Sequence, residues 1–138
     1  MQFKNVVIQS LAAIDAPIKI TSTQIAERLR PAMERLGIRQ DLLENISGIG
    51  ARRVWDHGTQ PSDAATMAAE EAIEQADIER DKIGVLINTS VCRDYLEPST
   101  ACLVHGNLGL HERCLNFDIG NACLAFLNGM DVAARMIE

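Results

Sequence analysis

Apolar residues recur along this 138-residue chain in two patterns. Buried strands are predicted at residues 3–14, which are rich in Val, Ile, Leu and Ala, at residues 83–91, which form a continuous apolar run, and at residues 113–119. Helical spacing is found in four stretches, at residues 22–36, 62–76, from Pro98 towards Gly106 and Gly109, and from Cys123 to the last residue. Strand and helix therefore alternate, which predicts an α/β fold with parallel strand pairings and helices on both faces of the sheet.

Glycine, proline and capping residues sharpen some of these boundaries. Thr21 or Ser22 is suited to cap the first helix, and Gly37 is suited to end it. Pro31 lies inside the same pattern, so we expect a kink or two short helices there. Residues 45–55 predict a loop that leads into a short strand. The third predicted helix carries small residues every four positions, which lets it lie close to a neighbour: Ala64, Ala68, Ala72 and Ala76.

Length and composition narrow the class of protein. By length, residues 1–138 form one domain or a part of one, and 47% apolar residues are enough for a core. The net charge of −6 and the lack of a Lys/Arg cluster argue against a nucleic-acid binder. No apolar run reaches transmembrane length, and Gln9 and Ser10 interrupt the first run, which favours a strand over a signal peptide. We therefore expect a cytoplasmic protein.

The spacing of the cysteines bears on metal binding. None of them forms a C-x-x-C pair, so no structural zinc site is expected, and in a reducing cytoplasm all should be free thiols: Cys92, Cys102, Cys114 and Cys123. The first three have no recognisable catalytic context and are expected in or near the core.

Cys123 stands where a predicted strand turns sharply into a helix, with Gly120 supplying backbone freedom. A side chain at such a turn projects above the sheet edge. The free N–H groups of a helix N-terminus favour negative charge, which would make the sulfur a stronger nucleophile and would stabilise an oxyanion. The residues alone leave the alternative open that Cys123 is a small buried hydrophobe.

A family resemblance favours the catalytic interpretation. Residues 118–130, DIGNACLAFLNGM, resemble the nucleophile turn of the thiolase superfamily in its ketoacyl synthase III-like branch. Residues 84–110 are most similar to the members of that branch that join two acyl-CoAs head to head in olefin biosynthesis. The similarity extends over essentially the whole chain. It implies the N-terminal half of a five-layer αβαβα thiolase-like fold that forms a homodimer, with the C-terminal half absent from this chain.

The resemblance also implies a reaction and its residues. Cys123 would take an acyl group from long-chain acyl-CoA as a thioester, and a second acyl-CoA would be deprotonated and attack it. This is a non-decarboxylative Claisen condensation that gives a 2-alkyl-3-ketoacyl product, with CoA as carrier and with no metal or other cofactor. Glu97 would be the base and would reach across the dimer into the partner's active site. From the residues alone, Glu97 could simply favour a helix N-terminus next to Pro98.

Other polar residues have less specific roles. The resemblance places Arg52 and Arg53 near the CoA entrance, but Gly50 replaces the first arginine of the family pattern, so a solvated or ion-paired face is an open alternative. Asn121 is expected to hold the turn. The family takes its catalytic histidine and asparagine from the absent half. We expect structural roles, without a Cys–His pair or paired acids, for Asp94, Asp118, His57, His105 and His111.

Two alternative functions remain open. One is a 3-oxoacyl-(acyl carrier protein) synthase III that decarboxylates malonyl groups, against which the presence of Glu97 argues. The other is a non-catalytic half that only binds a partner chain, against which an intact Cys123 argues. In either case, residues 1–138 alone are expected to be inactive.

Overall fold

The computed structural model describes residues 2–138, apart from the side chain of Leu43. These residues form two compact units. One comprises the segment up to Ile14 together with Thr59–Glu138, and the other comprises Asp15–Gly58. Each unit contains one two-stranded sheet.

The unit of residues 15–58 consists of an antiparallel pair of strands that are connected by two helices. Strand β1 (Ile18–Thr21) pairs antiparallel with β2 (Ala51–Val54), and the helices are α1 (Ser22–Arg35) and α2 (Leu42–Ser47). Thr21 caps α1: its Oγ1 accepts from the Gln24 N–H at 3.1 Å, and the Gln24 side chain accepts from the Thr21 N–H at 2.9 Å. Gly37, with φ of +64°, follows the helix, so both predicted ends of α1 are confirmed to within one residue.

The predicted division into two short helices at Pro31 is wrong, because α1 continues through this residue as a single helix. Proline in a helix removes one backbone hydrogen bond and crowds the preceding turn. Ala26 and Met33 are buried on either side of Pro31. Burial of this face holds both halves of the helix in register despite the lost hydrogen bond.

The larger unit is built on a parallel strand pair, as the sequence predicted. Strand β3 (Val85–Asn88) lies parallel to β4 (Leu115–Asp118), and three helices accompany them: α3 (Pro61–Ala76), α4 (Thr100–Leu108) and α5 (Ala125–Ile137). Leu86 faces the core side with α3 and α4, whereas Ile87 faces α5. Helices therefore cover both faces of the sheet, which confirms the predicted α/β arrangement.

The core of the larger unit lies between α3, α4 and the sheet. Its buried members are Val104, Leu108, Leu110 and Cys114, and residues packed against them include Ala65, Ala69 and Ile73 of α3. The face of α3 that packs against this core, with Ala65 and Ala69, is thus offset by one residue from the predicted stripe of small residues. Ala68 and Ala72 of that stripe, together with Ala65 and Ala69, line a cavity of about 510 Å³ beside β3.

The strand predicted for residues 3–14 is not formed. Val7 and Leu11 are 82% and 76% exposed, and the segment has no ladder partner among residues 2–138. Side chains hold it instead: Ser10 Oγ donates to the Ala72 carbonyl at 2.8 Å, and Gln9 Nε2 donates to the Ala76 carbonyl at 3.0 Å. An apolar run becomes a strand only where a neighbouring strand satisfies its backbone hydrogen bonds.

Candidate active site

Cys123 lies in a short 3₁₀ turn between β4 and α5. After β4 ends, the Ile119 N–H still donates to the Asn88 carbonyl at 2.9 Å. Residues Ala122–Leu124 then form the 3₁₀ turn, and α5 begins at Ala125. The predicted strand-to-helix turn at Cys123 is confirmed, with the difference that the sulfur precedes the α-helix rather than opening it.

The unusual backbone of this turn is at Ala122, which has a φ of +44°. The sequence suggested Gly120 for that role, but Gly120 is not among the described residues with positive φ. A non-glycine residue in the left-handed region costs on the order of 1 kcal/mol or more and persists only where other contacts impose it. Asn121 supplies such a contact, since its Nδ2 donates to Asn128 Oδ1 at 2.7 Å and ties the turn to α5. Its expected role in holding the turn is confirmed.

The exposed Cys123 lies directly before α5, and the turn itself uses two N–H groups: Leu124 donates to the Asn121 carbonyl at 3.0 Å, and Ala125, the first residue of α5, donates to the Ala122 carbonyl. Within residues 2–138, no side chain makes a capping hydrogen bond there, whereas α1 is capped by Thr21 and α4 by Ser99. Uncapped N–H groups carry partial positive charge and can accept an anionic ligand. The turn can therefore stabilise negative charge on the sulfur or on an oxyanion formed next to it.

Glu97 lies in the exposed loop between β3 and α4, and its peptide bond to Pro98 is cis. In the described part of the chain its carboxylate makes no hydrogen bond or ion pair. The N-terminus of α4 is occupied by Asp118, whose carboxylate accepts from the N–H groups of Thr100 at 3.1 Å and Ala101 at 2.8 Å. Asp118 thus fills the helix-terminal role that the sequence left open for Glu97.

Asp94 has a comparable position at the start of α3. Its carboxylate accepts from the Ser62 N–H at 2.9 Å and from the Ser62 hydroxyl. The structural roles expected for Asp94 and Asp118 are therefore confirmed.

The sheet topology relates Cys123 to Glu97. The segment that carries Glu97 follows β3, and the turn that carries Cys123 follows β4. Because β3 and β4 are parallel neighbours, both segments leave the sheet at the same edge. This edge, at the carboxyl ends of the strands, is where open α/β sheets bind ligands.

Arg52 and Arg53 lie on β2, in the unit of residues 15–58. Arg52 Nη1 donates to Ser22 Oγ at 3.0 Å. Arg53 Nη1 donates to the Ala16 carbonyl at 3.0 Å, and its Nε lies 3.4 Å from the carboxylate of Asp15. This pairing agrees with the ion-paired alternative, and a role in CoA binding stays a prediction.

The remaining cysteines differ from one another in exposure. Cys92 and Cys102 are exposed, so the expectation that they lie in or near the core is wrong: Cys92 lies in the loop after β3, and Cys102 lies on the outer face of α4. Cys114 is buried, as expected, and its burial raises the pKa of its thiol.

Residues 2–138 show neither a cluster of metal-binding side chains nor a membrane-spanning helix. No group of three or more His, Cys, Asp and Glu side chains is placed there to hold a metal ion. Nor does this part of the chain contain a helix long and apolar enough to cross a membrane.

Three features of the site were not predicted from the sequence. They are the positive φ of Ala122, the hydrogen bond accepted by Asn128 and the two hydrogen bonds accepted by Asp118. The first two depend on a hydrogen bond between residues seven positions apart, for which no local pattern exists. Asp118 carried a usable signal, since an aspartate at the end of a strand that neighbours a helix start is well placed to bind the free N–H groups.

No family model matches the chain. The acyl-CoA:acyl-CoA alkyltransferase of Xanthomonas campestris is 60% identical over 138 residues, which is 100% of this chain and 41% of that protein. The crystal structure of Xanthomonas campestris OleA with one cysteine replaced by alanine has 60% identity and a TM-score of 0.93, and the match covers 99% of this chain and 40% of that one. For the 3-oxoacyl-(acyl carrier protein) synthase III of Xanthomonas oryzae, the identity is 58%, the TM-score is 0.93, and the coverage is 99% and 40%.

The chain spans about two-fifths of the length of these relatives, and it matches their N-terminal part. Other solved structures of the Xanthomonas campestris protein carry replacements of a glutamate or of a histidine. Identity of about 60% over the whole chain, with the same fold, establishes homology. The chain therefore belongs to the thiolase-like family that includes OleA and the ketoacyl synthases III, and it corresponds to the N-terminal part of these proteins.

Proposed function

We propose that this chain is the N-terminal part of an acyl-CoA:acyl-CoA alkyltransferase, which joins two long-chain acyl-CoAs by a non-decarboxylative Claisen condensation. The observation that carries the proposal is the exposed Cys123 on a strained turn in front of an uncapped helix. This arrangement has the features of an activated nucleophile with donors for an oxyanion.

The first step is the transfer of an acyl group to Cys123. The thiolate attacks the thioester carbonyl of acyl-CoA, and the oxyanion that forms is stabilised by the free N–H groups at the start of α5. The bond from the carbonyl carbon to Cys123 Sγ forms, the bond to the CoA sulfur breaks, and CoA leaves as a thiolate that takes up a proton. The product is acyl-Cys123.

The second step needs a base to remove a proton next to the carbonyl of the second acyl-CoA. We assign this role to Glu97. The resulting carbanion attacks the carbonyl of acyl-Cys123, the carbon–carbon bond forms, and the bond to Sγ breaks. Cys123 is regenerated, and the product is a 2-alkyl-3-ketoacyl-CoA.

The exposure of Glu97 supports its action in the site of a second copy. A carboxylate without a partner among the described residues, in a loop at the sheet edge, is available to reach beyond its own chain. We therefore propose a homodimer in which each copy supplies Glu97 to its partner's acyl-Cys123. The four free thiols fit a cytoplasmic location.

Variants of the Xanthomonas campestris relative support the choice of residues. The positions of the cysteine and the glutamate replaced in its solved structures are separated by the same number of residues as Cys123 and Glu97 here. The replaced histidine lies farther beyond that cysteine than the residues after Cys123 extend. This fits a histidine supplied by the part of the fold that this chain does not cover.

Arg52 and Arg53 are the candidates for binding the phosphates of CoA. Their partners are a hydroxyl, a carbonyl and an exposed aspartate, each of which a phosphate could replace as acceptor. Replacement of either arginine by alanine would then raise KM for acyl-CoA more than it lowers kcat.

The test uses the completed enzyme, defined as this chain joined to the part of the Xanthomonas campestris alkyltransferase that it does not cover. Glu97→Gln keeps the shape of the side chain and removes the base. We expect acylation of Cys123 to persist and condensation to slow by about 100-fold or more. Mass spectrometry of the acyl-enzyme and chromatography of the ketoacyl product measure the two steps separately. Glu112→Gln, at another exposed glutamate, is the matched control, and unchanged condensation by the Glu97 variant would contradict the proposal.

A decarboxylating 3-oxoacyl-(acyl carrier protein) synthase III is the second candidate, because the Xanthomonas oryzae relative carries that name. The two functions differ in their requirement for a malonyl donor. The completed enzyme supplied with long-chain acyl-CoA alone should form the condensed product. Product formation only after malonyl-acyl carrier protein is added would favour the second candidate.

A further inference from the structure

The loop that carries Glu97 is fixed on both sides of this residue. Three positions before it, Asp94 accepts two hydrogen bonds from Ser62 at the start of α3. Three positions after it, α4 begins with Thr100, whose N–H donates to Asp118 at 3.1 Å. The Glu97 side chain makes no hydrogen bond or ion pair among the described residues, so these two anchors are the hydrogen bonds that hold its loop on either side.

We propose that Asp94 is a positioning residue for Glu97, and this inference rests on the function proposed above. Ser62 is 5% exposed and belongs to the N-terminus of a sixteen-residue helix, so it is a rigid and nearly water-free attachment point. Both hydrogen bonds end on the Asp94 carboxylate, and bonds to a charged acceptor are stronger than those between neutral groups. Asp94 thereby restricts the conformations of the exposed residues that follow it.

The physical reason for such an anchor is the demand of proton abstraction on geometry. A general base must lie within hydrogen-bonding reach of the proton that it removes. A misplacement of about 1 Å can lower the rate by on the order of 100-fold. A flexible, exposed loop would present Glu97 in many positions, whereas a loop tied to α3 three residues away presents it in few.

Helix α3 also supplies a control for this inference. Asp63 accepts from the Gln60 N–H at 2.9 Å and caps the same helix terminus without touching the Glu97 loop. Loss of Asp63 weakens the end of α3, and loss of Asp94 weakens the attachment of the loop as well. The two variants therefore separate helix stability from loop position.

The experiment compares Asp94→Ala, Ser62→Ala, the double variant and Asp63→Ala in the completed enzyme. Acylation of Cys123 and condensation are measured separately, together with the thermal unfolding midpoint. We expect condensation to fall by about 10- to 100-fold in the first three variants, with acylation unchanged. Because Asp94 and Ser62 act through one contact, the double variant should be no slower than either single variant. Asp63→Ala should retain both rates.

Three results would overturn the inference. They are normal condensation in Asp94→Ala, an equal loss of acylation and condensation, and an equal defect in Asp63→Ala. If Asp94→Ala does not fold, Ser62→Ala gives the same test, since it removes the hydroxyl but keeps the backbone donor. The Glu97→Gln variant separates the two proposals. If it condenses normally, the proposed base is wrong and the inference falls with it; if it alone is slow, only the positioning role of Asp94 is wrong.

Discussion

Exposure alone does not distinguish Cys123 from two of the other thiols. Cys92 and Cys102 are also exposed. What is particular to Cys123 is the left-handed backbone of Ala122 before it and the uncapped helix after it. Strained backbone of this kind clusters at functional sites, where surrounding contacts hold it against its cost.

These differences predict the order in which the thiols react. In the completed enzyme, brief treatment with iodoacetamide should modify Cys123 faster than Cys92 and Cys102, because Cys123 is exposed on a strained turn directly before a helix without a side-chain cap. Cys114 should react last. Burial raises the pKa of its thiol, so its thiolate forms only at higher pH, and its labelling should increase towards alkaline pH. Peptide mapping by mass spectrometry measures each site, and faster labelling of Cys92 or Cys102 than of Cys123 would contradict the assignment.

The positions of the candidate site residues were predicted from the sequence more accurately than the backbone conformation and hydrogen bonds around them. Cys123 was placed at a strand-to-helix turn by local pattern, and the structure shows that turn. The tight backbone was assigned to Gly120 because glycine adopts positive φ most easily, yet it occurs at Ala122. The hydrogen bond from Asn121 to Asn128 forms only once α5 is in place, so no local preference reveals it.

At the scale of elements, the helices were easier to predict than the first strand. Helix α1 has its signals within itself, in Thr21, Gln24 and Gly37. A strand depends on a partner that is remote in sequence. The apolar pattern of residues 3–14 contained no information about whether a partner edge would be available, and none pairs with it in the described chain. Pro31 shows the converse, since a residue type that usually interrupts helices lies inside the continuous helix α1, whose buried face includes Ala26 and Met33.

The approach of α5 to β3 depends on Gly129. A Cβ atom at this position would lie 2.6 Å from Thr89 Cγ2, and real Cβ atoms do not approach other carbon atoms this closely. Gly129→Ala should therefore push α5 away from the sheet and lower the stability of the completed enzyme by about 1–3 kcal/mol, as overpacking does. The thermal unfolding midpoint measures this loss.

Two further variants make the test specific to this contact. Gly106 is also in a helix, but a Cβ atom there would meet nothing within 4 Å. Gly106→Ala should be neutral or should stabilise α4 by about 0.5–1 kcal/mol. Thr89→Ser removes the Cγ2 atom and should restore most of the stability of Gly129→Ala. An unchanged midpoint in Gly129→Ala, or a failure of Thr89→Ser to restore it, would show that the close approach is not limiting.

At the scale of the whole molecule, much apolar surface lies open on the described residues. Helix α5 carries apolar residues at helical spacing, namely Leu127, Met130, Ala134 and Ile137. Of these only Ala134 is buried, whereas Leu127 and Ile137 are 60% and 59% exposed. The N-terminal segment adds Val7 and Leu11. Soluble monomers rarely expose contiguous apolar patches larger than a few hundred Å². The relatives are more than twice as long as this chain, so their additional residues could cover such a surface.

This surface leads to a prediction for residues 1–138 expressed alone. They should self-associate and should form no condensed product from long-chain acyl-CoA. The apolar face of α5 is uncovered, and the catalytic histidine that the family resemblance implies lies outside these residues. Loss of one oxyanion donor lowers a rate by about 100- to 1,000-fold. Light scattering measures the association, and product analysis measures the condensation. Leu127→Ser with Ile137→Ser should lower self-association without restoring activity, whereas the completed enzyme should be active. A monomeric residue 1–138 protein that makes the ketoacyl product would contradict both parts of the prediction.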